Sequence, residues 1–136
     1  MFQTVVAVRE RVAAVLKAAG LSASVHFVMA TGETGRYVVL LSKPSARSRD
    51  SINRIEDVTL EINCCSTDVE EAARMLDAVC DDLDELSADE MVIRGGRLVG
   101  CECRQDPSVE NVTADAGKMF AGVVAYEFKT ETKRKK

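Results

Sequence analysis

The stretch from Asp57 to Leu86 does most to limit what this chain can fold into. Val58, Leu60, Ile62 and Cys64 alternate with Thr59, Glu61, Asn63 and Cys65, the two-residue period of a strand with one buried face. Thr67-Asp68-Val69-Glu70 follows at once. A hydroxyl with a glutamate three positions later is a capping box, which predicts a helix start with Thr67 as N-cap. Val69, Ala72, Ala73, Leu76, Val79, Cys80, Leu83 and Leu86 then recur at helical spacing, while Glu70, Glu71, Arg74, Asp77, Asp81, Asp82, Asp84 and Glu85 take the other side. A strand that feeds straight into a long amphipathic helix predicts a helix folded back over a sheet.

The flanking sequence supplies the other elements. Val5, Val8, Val12, Val15, Leu16 and Ala19 recur at three and four spacing over 3–19, and Gly20 follows as a helix C-cap. Ser24–Met29 and Arg36–Ser42 read as two strands joined as a hairpin through Thr31-Gly32-Glu33-Thr34-Gly35. Lys43 to Glu56 is a long irregular stretch with one proline, several serines and the basic residues Lys43, Arg47, Arg49 and Arg54. Loops of that length inside a small domain are functional or disordered. Further on, Gly95-Gly96 predicts a two-residue hairpin turn from Met91-Val92-Ile93 into a strand over Leu98–Gln105. In that strand Val99, Cys101 and Cys103 share one face, and Leu98, Gly100, Glu102 and Arg104 the other. Asp106-Pro107-Ser108 is expected to end it, with 109–116 as turn. Lys118–Thr130 is apolar on both faces, so the last strand is expected to be central or covered twice.

These elements predict an α+β domain over residues 1–130, with a flexible basic loop at 43–56 and a basic C-terminal tail at 131–136. The sheet is a single, mostly antiparallel or mixed one, with two helices packed on one face in the order α-β-β-β-α-β-β. At 136 residues the chain is long enough to bury a core without disulfides or a metal. No apolar run approaches the roughly 20 residues of a membrane span, and Met1-Phe2-Gln3 does not begin a signal peptide. A protein made in the cytoplasm, with no membrane partner, is the expectation.

Charge is segregated along the chain. Residues 1–55 hold eight Lys/Arg and three Asp/Glu, 56–116 hold four and 17, and 117–136 hold six and two. Segregated opposite charges suit head-to-tail contact between identical subunits.

Chemistry-bearing patterns are missing. There is no Walker loop, Rossmann glycine pattern or Ser-His-Asp set. The single histidine, His26, has no nucleophile placed beside it. The carboxylates line an outer helix face, where nothing raises their pKa for acid catalysis. The five cysteines are Cys64, Cys65, Cys80, Cys101 and Cys103. Neither the Cys64-Cys65 pair nor Cys101-x-Cys103 has structural zinc spacing, so they read as small core residues. No catalytic residue, cofactor or metal is expected.

In layout the chain resembles the tail terminator (tail completion) proteins of long-tailed bacteriophages. The resemblance runs over a first helix at Phe2–Ala19, a strand hairpin, the strand Val58–Cys65 set immediately before the helix Thr67–Leu86, and a closing pair. That pair is Val99–Arg104 and Asp115-Ala116-Gly117-Lys118-Met119-Phe120-Ala121-Gly122-Val123-Val124-Ala125-Tyr126-Glu127-Phe128. The likeness implies a structural, non-enzymatic protein of the virion tail, assembled in the host cytoplasm. Such proteins form a ring, commonly a hexamer, on the end of the tail tube. The ring stops polymerisation and meets the head-tail connector. The expected partners are therefore further copies of itself, the tail tube protein and the connector. On this view Asp77, Asp81, Asp82 and Glu85 of one subunit meet Arg47, Arg49 and Arg54 of the next. Alternatively the basic loop lines the lumen and touches passing DNA without sequence preference. The competing identities are another neck, head-closure or minor tail component, a cellular ferredoxin-like binding module, and a thiol metal binder using Cys101 and Cys103.

Overall fold

Seven elements carry the fold in the computed structural model, which describes residues 2–28, 35–43, 53–112 and 118–133. They are α1 (Phe2–Ala18), β1 (Ser24–Phe27), β2 (Tyr37–Lys43), β3 (Asn53–Ser66), α2 (Val69–Asp84), β4 (Gly96–Asn111) and β5 (Phe120–Lys133). The strands form one five-stranded sheet in the order β1-β2-β3-β5-β4. All pairings are antiparallel except β1 with β2. The predicted α+β class, element order and mixed sheet hold.

Both helices lie on one face of that sheet. Val5, Val8, Val12 and Leu16 of α1 and Met75, Leu76, Val79 and Leu83 of α2 share a single buried cluster with Val38, Leu40, Leu60, Ile62, Cys64, Val124, Tyr126 and Phe128. Burial of this many apolar side chains is the main favourable term in folding. Gly20, at φ +75°, closes α1 in the left-handed conformation; Leu21 N–H bonds Leu16 C=O at 2.8 Å, and Leu21 is buried.

Several local expectations change. β1 and β2 run parallel, with Ser24 opposite Tyr37 and Phe27 opposite Leu40, and so form no hairpin. The chain leaves β1 at Val28, held at φ +77°. It then returns to start β2 beside the start of β1. Gly95-Gly96 joins no strand pair either. Gly95, at φ +77°, ends a turn in which Gly96 N–H bonds Ile93 C=O at 3.2 Å, and β4 begins there.

β4 is also twice as long as Leu98–Gln105. Register shifts between Gln105 and Ser108 let it pass Pro107 and continue to Asn111 opposite Phe120. Proline is tolerated here because β4 is an edge strand at an irregularity. Another shift between Leu98 and Gly100 changes the phase, so Leu98 joins Cys101 on the helix side instead of opposing it.

β5 is central, with β3 on one side and β4 on the other. That accounts for its two apolar faces: Val124, Tyr126 and Phe128 meet the helices, and Ala121 and Val123 pack with Cys65 on the opposite side. β3 starts at Asn53 and β5 ends at Lys133, where Asn53 pairs with Lys133. So 53–56 of the predicted loop and 131–133 of the predicted tail are strand. Residues 44–52 and 134–136 lie outside the described residues.

A candidate assembly surface on the second helix

The link from β3 to α2 is built from four side chains. Ser66 Oγ accepts from Asp68 N–H at 3.1 Å, and Asp68 Oδ1 accepts from Glu70 N–H at 3.0 Å. The N-cap is therefore Asp68, one residue after the predicted Thr67. Asp68 takes the Glu70 amide that the capping box assigned to Thr67, which moves the cap along by one. Ser66 Oγ also donates to Glu71 Oε1 at 2.9 Å, and Arg36 Nη1 donates to Glu71 Oε2 at 3.2 Å. The buried stripe of α2 runs through Ala72, Met75, Leu76, Val79 and Leu83. It is rotated from the expected one: Met75 is fully buried, and Val69 is exposed.

This rotation divides the acidic residues of α2 into two sets. One is tied inward. Arg11 of α1 forks onto Asp82 with Nε–Oδ2 at 2.8 Å and Nη2–Oδ1 at 2.9 Å, and its Nη1 donates to Glu90 C=O at 3.2 Å. The Asp82 hydrogen bond is the main reason the Arg11 pKa lies above its ordinary value. Tyr126, buried at the centre of the sheet, donates its hydroxyl to Asp84 Oδ1 at 2.7 Å. Burial, with hydrogen bonds to Cys80 and Asp84, pushes the Tyr126 phenol well up.

The other set faces solvent: Glu70, Asp77, Asp81 and Glu85 are exposed, as is Asp84 apart from its bond to Tyr126. Glu85 is the C-cap, its N–H bonding Leu83 C=O. Four carboxylates on one exposed helical face form an anionic surface that can take cationic side chains of a partner.

Of the residues expected to meet across subunits, Asp77, Asp81 and Glu85 stand on that surface. Asp82 is half-buried and already held by Arg11. Arg54 lies at the start of β3, opposite Thr132, and Arg47 and Arg49 lie outside the described residues. Sequence reading missed the partners of the inward set. Arg11 lies 71 residues before Asp82 and Tyr126 lies 42 after Asp84, and no local spacing signals either contact.

The thiols sit apart from this surface. Cys64 and Cys65 are buried, Cys80 and Cys101 half-buried, and Cys103 exposed, with its Sγ donating to Gln105 C=O at 3.3 Å. Burial pushes Cys101 up to about 12 and raises Cys103 as well. Among the described residues no three His, Cys, Asp or Glu side chains converge as a metal site. His26 shares a 3.0 Å hydrogen bond with Ser24. Among the described residues no helix is long and apolar enough to cross a membrane.

The thiolate is the reactive form, so the native chain should take up iodoacetamide slowly at Cys103 near pH 8. The rate should rise with pH, and the four less exposed thiols should lag until urea is added. Mass spectrometry of digests checks this; equal labelling of Cys64 and Cys103 in the native chain would contradict the packing described.

No family model matches the chain, and no curated protein matches it. Among solved structures it is similar to a chain from one described as "Virion of native gene transfer agent (GTA) particle". That chain is 23% identical, with 88% of this chain and 84% of that one covered and a TM-score of 0.63. The two share a fold. A second solved chain, 19% identical over 93% of each chain, has a TM-score of 0.48, too low to bear on function.

Proposed function

We propose that this chain is a structural, non-enzymatic component of a phage-like virion, and within it the tail terminator. The observation that carries the proposal is the fold shared over 88% of the chain with a chain of a gene transfer agent virion. In this role the protein forms a ring, expected to be a hexamer, on the end of the tail tube. It halts tube growth and offers the connector its docking surface. A closed ring requires heterologous contacts, in which two different patches of each subunit meet. The exposed carboxylates Asp77, Asp81 and Glu85 of one subunit supply one patch. The basic segment with Arg47, Arg49 and Arg54 of its neighbour supplies the other, while Asp82, held by Arg11, ties the two helices together and stays out of the contact.

Light scattering coupled to size exclusion, with negative-stain imaging, tests the role. Rings of uniform size, alone or on the ends of tail tubes, are expected. A monomer at every concentration that neither forms rings nor attaches to tube ends would overturn it. A gene lying between those for the connector and the tube subunit is the further expectation.

A further inference from the structure

The helix layer carries opposite charge on its two outer flanks. Successive residues of a helix are turned by about 100°, so positions two apart stand nearly opposite each other. On α1, Arg11 points at Asp82 of α2, which turns Arg9 to the far side of α1. Phe2, seven residues before Arg9, and Lys17, eight after it, lie on or beside the same stripe, and all three are exposed. On α2, Asp82 points back at Arg11, which turns Asp84 to the far side, with Asp77 on the same stripe and Asp81 beside it. These three are exposed as well. The α1 stripe, completed by Val6 and Ala13, holds no acidic residue, and the α2 stripe holds no basic one. The two flanks lie at opposite edges of the domain. α1 packs over β1, one edge strand of the sheet, and α2 over β3, β5 and the other edge strand, β4.

One chain cannot bring its own two flanks together. A second copy set beside the first can, and charge then selects which flank meets which. Among the described residues no salt bridge engages Arg9, Lys17, Asp77, Asp81 or Asp84. The spacings correspond: at about 1.5 Å per residue, Arg9 and Lys17 are about 12 Å apart along α1, and Asp77 and Asp84 about 10 Å apart along α2. Phe2, 72% exposed, adds a large aromatic side chain to the cationic stripe, and aromatic and arginine residues are enriched where proteins meet. We propose that the outer flank of α1, through Arg9 and Lys17, docks on Asp77, Asp81 and Asp84 of α2 in a second copy of this chain. Such a contact joins two different patches, so it repeats head to tail and can close a ring. It rests on the ring assembly proposed above and names α1 as a surface that meets the acidic helix.

Size exclusion coupled to light scattering, over a dilution series of the full chain, tests the contact. Arg9→Glu with Lys17→Glu should raise the concentration at which rings half-assemble by at least roughly 30-fold. Arg9→Gln with Lys17→Gln, which removes the charges without reversing them, should raise it by roughly 5-fold. Both positions are exposed on one helix, so thermal melts of both variants should match wild type. Adding Asp77→Lys and Asp81→Lys to the Glu variant exchanges the signs of the two flanks and should restore rings of wild-type size. Rings formed by the Arg9/Lys17 variants at wild-type concentrations would overturn the α1 contact and leave the ring role standing. A folded fourfold variant that does not recover would also overturn it, by assigning the acidic face to another basic surface. A wild type that forms no rings, in solution or on tube ends, would instead remove the ring role and this contact with it.

Discussion

Gly122→Ala should lower the stability of this domain by about 1–3 kcal/mol, and Gly122→Val by more, enough to leave little folded protein. Gly122 lies near the start of β5, opposite Cys64 on one side and Val109 on the other. Its missing side chain is where α2 rests on the sheet. A Cβ there would stand 2.9 Å from Leu76 Cβ and 3.0 Å from Ala72 C=O. Neither neighbour is the free end of a flexible side chain: one is the root of a buried leucine, the other helix backbone. Relief would need α2 to lift from the sheet, which would loosen the layer holding Met75, Val79 and Leu83.

Gly100→Ala in β4 is the control, since a Cβ at Gly100 meets nothing within 4 Å. Its stability should stay within about 0.5 kcal/mol of wild type. Urea unfolding of the variants checks both. Equal midpoints for Gly122→Ala and Gly100→Ala would mean that α2 does not sit as close as described.

Gly122 also shows which parts of the fold could be read from sequence. The β3–α2 unit was legible because its information is local: a two-residue period turning into a 3.6-residue one at a cap signal. Even there the cap moved from Thr67 to Asp68, because the Asp68 carboxylate takes the Glu70 amide expected to bond Thr67. The central place of β5 was legible from its two apolar faces. Gly122 carried no such mark, since the need for a glycine arises from a helix about fifty residues earlier. The parallel pairing of β1 with β2 was hidden for a similar reason. A glycine-containing turn between two strands reads as a hairpin, whereas the observed exit at Val28 uses a positive φ in a β-branched residue, which propensity argues against. β4 was cut short because Pro107 normally ends a strand; only its place at the edge, a property of the whole sheet, lets the strand continue.

The candidate surface was half legible. The sequence marks which residues of α2 lie outside, but not which of them are already engaged, and that distinction decides the second large effect. Asp77→Lys with Asp81→Lys should abolish ring formation while leaving the fold intact. Both side chains are exposed on α2, where substitutions typically move stability by no more than about 0.5 kcal/mol. Reversing two charges on a surface proposed to meet arginines replaces attraction with repulsion at every junction of the ring, so the loss should be complete rather than partial. Asp82→Lys should behave differently. It removes both hydrogen bonds from Arg11 and sets a second cation beside that guanidinium. With each side chain less than a third exposed, the tie between α1 and α2 should weaken by about 1–2 kcal/mol. Its first effect is then a lower unfolding midpoint, with assembly reduced only in proportion to the folded fraction. Thermal melts alongside light scattering separate the two. Rings of normal size from the Asp77/Asp81 variant would remove α2 from the subunit contact. Wild-type stability in Asp82→Lys would show instead that Arg11 contributes nothing measurable to the packing of the two helices.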